Sequence, residues 1–77
     1  MNQKELITAL SNSIGENLSE DSTTQNSENW DSLGHLSILT TLSKVTDGKS
    51  DLIPEISNAQ SIQEILLLLG DAKLLDS

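Results

Sequence analysis

Ser32 and His35 stand three residues apart in the segment Trp30-Asp-Ser-Leu-Gly-His-Leu36, with Asp31 beside the serine. On a helix that spacing makes a hydroxyl and an imidazole neighbours, which invites a nucleophile and base reading. The pair falls short of a catalytic site. A working triad also needs a group to orient the base, donors for an oxyanion and a substrate cleft, and a chain of 77 residues has little material for them. No enzymatic activity is expected, and His35 is expected to be solvated or to face a partner. What remains is the Ser32 hydroxyl. At the start of a helix it can cap the first turn, or it can present an exposed oxygen close to free backbone amides and the positive end of the helix dipole, which favour negative charge.

The elements that position Ser32 follow from apolar spacing. Leu6, Ile7, Leu10 and Ile14, continued by Leu18, recur every three or four residues, which predicts a first helix over Gln3–Asn17. Ser19–Asn29 holds no apolar residue and is rich in Ser, Thr, Asn and Asp, which bond to nearby backbone and favour turns. It reads as a long loop ending at Trp30-Asp31-Ser32. Leu33, Leu36, Ile38, Leu39, Leu42 and Val45 then form a second helical pattern, capped by Asp31 or Ser32 and ending near Asp47-Gly48. Pro54 drives Ile53 out of helical geometry and suits the first turn of a short third helix to Asn58. Ser61 and Glu64 match a capping box, so a last helix is expected over Ile62–Leu69, with Gly70 as its stop. The Leu-rich run at its end is expected in the core. The sum is one all-α domain over residues 1–77, a four-helix bundle of three principal helices plus one short helix.

The segment centred on Asp31-Ser32-Leu33 resembles the attachment motif of acyl carrier proteins and related peptidyl carrier domains. Helix order, loop length and the closing segment Ser61-Ile-Gln-Glu-Ile-Leu66 extend the resemblance over nearly the whole chain. It implies an acyl-carrier-protein-like fold and a covalent 4'-phosphopantetheine cofactor, esterified to Ser32 from coenzyme A, with Asp31 and Leu33 beside it. It further implies a thioester-linked acyl, aminoacyl or peptidyl cargo. The partners it implies are a phosphopantetheinyl transferase, then an acyl or aminoacyl ligase or transferase, then the enzymes of fatty acid or secondary metabolite biosynthesis.

One feature departs from that family. Fatty-acid-type carriers usually display acids along the second helix, whereas Leu33–Thr46 here contains none and carries Lys44; the acids lie instead at Glu16, Glu20, Asp21, Glu28 and Asp31. A specialised pathway is therefore expected, with partner recognition resting on Leu33, Leu36 and Thr40 beside Ser32. Trp30, the only aromatic residue, is expected to pin the loop to the bundle and is a candidate partner contact.

Composition narrows the alternatives. With no cysteine and one histidine, disulfides and ordinary zinc centres are excluded. Twelve acids against four basic residues give a net charge of −8, which disfavours nucleic acid and suits partners with basic surfaces. The apolar run Ile65–Leu69 is too short to span a bilayer and the amino terminus lacks signal-peptide character. A cytoplasmic monomer without stable membrane insertion is expected. The competing reading is a small acidic, non-enzymatic interaction module, an adaptor or inhibitor, in which Ser32 stays unmodified.

Overall fold

Capping decides where each helix begins. In the computed structural model, which describes residues 1–76, helix α1 spans Gln3–Ile14 and opens on a full capping box. The Asn2 side chain accepts from the Glu5 amide at 2.7 Å, and Glu5 accepts in return from the Asn2 amide at 3.1 Å. Gly15 ends the helix in the left-handed region at φ 68°, a conformation that glycine adopts without steric cost. The helix is thus shorter than the apolar series suggests, because Gly15 turns the chain before Leu18 rejoins the core.

Helix α2 covers Ser32–Val45, and α3 covers Ile62–Asp71. Between them stand two short 3-10 helices, Lys49–Leu52 and Pro54–Asn58. The second agrees with the expectation drawn from Pro54, in the tighter 3-10 form; the first was not expected. Asp47 and Gly48, at φ 55° and 81°, turn the chain out of α2. The buried Thr46 hydroxyl then donates to the Leu42 carbonyl at 2.7 Å and accepts from the Ser50 amide at 3.0 Å, fastening the first 3-10 helix to the end of α2.

Two expectations about α3 need correction. Gly70 lies inside the helix; the left-handed residue at its end is Lys73, at φ 60°, with the Leu74 amide bonding back to the Leu69 carbonyl at 2.9 Å. Only half of the capping box at Ser61 forms, its side chain accepting from the Glu64 amide at 3.1 Å. The chain is therefore all-helical, and no strand occurs among the described residues.

Leu6 and Leu10 of α1, Ile38 and Leu42 of α2, and Ile62, Ile65 and Leu69 of α3 are fully buried together, joined by Leu18, Trp30, Ile56 and Ala59. This core holds the three helices by hydrophobic burial, since exposed charge pairs contribute little in a chain this small. The end of α3 is not wholly core: Leu67 is 68% exposed. No helix is long and apolar enough to cross a membrane among the described residues.

Candidate functional site at the head of helix α2

The polar loop is a fixed strap. The Thr24 amide donates to the Gln60 carbonyl at 2.9 Å and the Ile62 amide to the Ser22 carbonyl at 3.0 Å, so the middle of the loop is bonded across the start of α3. Its last residues are tied to α1. The Asn29 amide donates to Glu16 Oε1 at 2.7 Å, and Asn29 Nδ2 to the Ile14 carbonyl at 3.0 Å. These bonds satisfy loop amides that have no regular ladder and fix where α2 begins.

Asp31 is the cap of α2. Its side chain accepts from the Gly34 amide at 2.8 Å and its carbonyl from the His35 amide at 2.8 Å. Of the two residues suited to capping, Asp31 takes the role and Ser32 becomes the first helical residue, exposed to solvent. Among the described residues, nothing in the protein bonds to the Ser32 hydroxyl or to the Ser32 and Leu33 amides. Leu33 and Leu36 are 75% and 60% exposed, and Ser37 and Thr40 are exposed on the same helix. The Thr40 hydroxyl donates to the Leu36 carbonyl at 3.0 Å. One turn of α2 thus presents a free hydroxyl, two free amides and an apolar surface together.

Trp30 sits behind this face. Only 2% of it is exposed, so the indole pins the loop onto the core and offers little surface for the partner contact for which it was a candidate. Its Nε1–H donates to His35 Nδ1 at 3.1 Å, the two rings lying nearly parallel at 15° with centroids 6.3 Å apart. An indole N–H is a donor only, so Nδ1 must be the acceptor and the ring proton resides on Nε2. Nε2 in turn lies 2.9 Å from the Ser57 carbonyl, to which it donates. The expectation of a solvated or partner-facing His35 is therefore corrected. Both ring nitrogens are engaged by protein groups, and neither is directed to Ser32.

Gly34 was missed as a site residue. A Cβ there would collide with the Asn29 carbonyl oxygen and lie 3.1 Å from the Asn29 carbonyl carbon. The strap and the head of α2 touch backbone to backbone, which only glycine permits. The sequence held a weak signal, since a glycine inside a helical pattern costs about 1 kcal/mol against alanine and so invites a packing reason. Asn29, the other anchor, gave no comparable signal within a stretch of similar polar residues.

A shallow groove lined by Thr24, Trp30, Asp31, Ser32, His35 and Ala59 opens beside the hydroxyl. No group of acids and histidines suited to a metal ion occurs among the described residues. Comparison with family models, with curated proteins and with solved structures yields no match.

Proposed function

We propose that the chain is a carrier protein that holds acyl, aminoacyl or peptidyl cargo as a thioester on a 4'-phosphopantetheine arm esterified to Ser32. The observation that carries this reading is an exposed hydroxyl at the first position of α2 with the cap supplied by its neighbour Asp31. Because Asp31 does the capping, Ser32 has no structural duty that modification would disrupt.

The residues present fit the group. The free amides of Ser32 and Leu33 and the positive end of the α2 dipole favour the phosphodiester. The groove past Thr24, Trp30 and Ala59 leaves room for an arm to fold back. In the loading step, the Ser32 oxygen would form a bond to the β-phosphorus of coenzyme A while the pyrophosphate linkage breaks. Adenosine 3',5'-bisphosphate leaves, and the serine proton passes to a base of the transferase. This chain contributes position alone. The thiol of the arm would carry the cargo, and Leu33, Leu36 and Thr40 would meet the transferase, the ligase and later enzymes of a specialised pathway. Their contact would rest on apolar surface, since α2 has no acid and carries Lys44.

A second reading shares the charge and the size: a small acidic interaction module with Ser32 unmodified. The two separate on incubation with a broad-specificity phosphopantetheinyl transferase and coenzyme A, followed by intact-mass measurement. The carrier reading predicts a gain of one phosphopantetheine group in the wild-type chain and none in Ser32→Ala. An unchanged wild-type mass favours the interaction module.

A further inference from the structure

We infer that Trp30, His35 and Ser57 form a pH-sensitive latch that ties the loop end and the second 3-10 helix to the head of α2 and releases when His35 gains a second proton. The inference does not depend on modification of Ser32.

The latch is a chain of two hydrogen bonds through one ring. Trp30 Nε1–H to His35 Nδ1 joins the last loop residues to α2, and His35 Nε2–H to the Ser57 carbonyl joins α2 to Pro54–Asn58. The first bond requires a bare nitrogen at Nδ1. An imidazolium carries a hydrogen on both nitrogens, so its Nδ1–H and the Trp30 N–H would point at each other. The protonated ring and the Trp30 bond are mutually exclusive on geometry alone.

The indole cannot readily turn elsewhere, because it is 2% exposed and packed in the core. Release therefore leaves a buried donor without a partner, unless the ring or the loop end shifts. The acidic groups on the elements around His35 are Asp31 at the cap, Glu20, Asp21 and Glu28 in the loop and Glu55 on the second 3-10 helix. Among the described residues none of them is ion-paired, and the nearest cation along α2 is Lys44 in its last turn. None of these carboxylates accepts a bond from the indole, whose partner is His35.

The second 3-10 helix is the element best able to respond. It is short, holds one buried residue, Ile56, and starts at a proline that donates no backbone hydrogen bond. A second proton on the ring therefore frees this helix and the loop end next to Ser32.

The test is nuclear magnetic resonance of the whole chain across about pH 8 to pH 5, following the single indole N–H, the two His35 ring nitrogens and amide exchange. At the upper end the ring nitrogens should report the Nε2–H form and a protected indole proton. On acidification the indole resonance should move in one step with the His35 nitrogens. Amide exchange should rise at Trp30 and Ala59 while Leu10 in α1 stays protected. An indole signal that does not follow the His35 transition, an Nδ1–H form at the upper end, or loss of protection at Leu10 in parallel would each overturn the proposal.

Discussion

Replacing Gly34 by alanine should destabilise the fold, although the same exchange usually favours a helix. Alanine exceeds glycine by about 1 kcal/mol in helix interiors, and Gly34 lies within α2. Against this, the added Cβ would collide with the Asn29 carbonyl oxygen and sit 3.1 Å from the Asn29 carbon, where ordinary carbon contacts lie at about 3.5–4.0 Å. A backbone cannot rotate away as a side chain can. Asn29 is held by Glu16 and by the Ile14 carbonyl, so relief requires the strap or the head of α2 to move by roughly 1 Å. Overpacking of this kind typically costs about 1–3 kcal/mol, and losing the Asn29 bonds would add to it. The net expectation is a loss of about 1–2 kcal/mol. Urea unfolding followed by circular dichroism should show a lower midpoint at unchanged slope. Gly70→Ala is the matched control, since nothing lies within 4 Å of a Cβ at that exposed helical position, and it should gain about 0.5–1 kcal/mol. If Gly34→Ala proved as stable as Gly70→Ala, the close contact between strap and helix would be refuted.

Further expectations concern separate parts of the molecule. Thr46→Val should cost about 1–2 kcal/mol in the same unfolding assay, because the buried Ser50 amide loses its acceptor; an unchanged midpoint would contradict the role given to that hydroxyl. The Met1 amine is held above its ordinary pKa, chiefly by its 2.8 Å hydrogen bond to Asp76, against some desolvation, with the charges of Asp76 and Glu5 adding to the rise. Its contribution is then fully present below the ordinary amino-terminal value of about 8 and is lost as pH rises through the raised folded value. The melting temperature of the wild type should fall more steeply above that point than that of Asp76→Asn, and parallel curves would argue against the clamp. Leu36→Asp should impair loading by a phosphopantetheinyl transferase, whereas Lys44→Glu should barely alter it; initial rates in the opposite order would discredit the surface assigned to partners.

Much of this architecture was legible because it rests on local chemistry. The three-and-four spacing of Leu6, Leu10 and Ile14 places α1, Asp31 caps α2, Ser61 opens α3, and the apolar gap over Ser19–Asn29 marks the strap. Other features depend on contacts that the residue types do not announce. The end of α3 passes Gly70 because Leu74 and Leu75 pack back against the core and Lys73 takes the left-handed turn. The first 3-10 helix is fastened in part by a threonine hydroxyl that receives an amide four residues on. At the candidate site, the exposed Ser32 and the apolar surface of Leu33 and Leu36 followed from position on the helix. The engagement of His35 did not, since a carbonyl at Ser57 carries no side-chain signature in the sequence.

The most direct test of the carrier reading is to produce the chain in cells together with a phosphopantetheinyl transferase and to locate any adduct by fragmentation of the peptide that contains Ser32. The account predicts a phosphopantetheine group on that oxygen, absent from Ser32→Ala made in parallel. Recovery of the wild-type chain with an unmodified Ser32, or with the group on another residue, would contradict it.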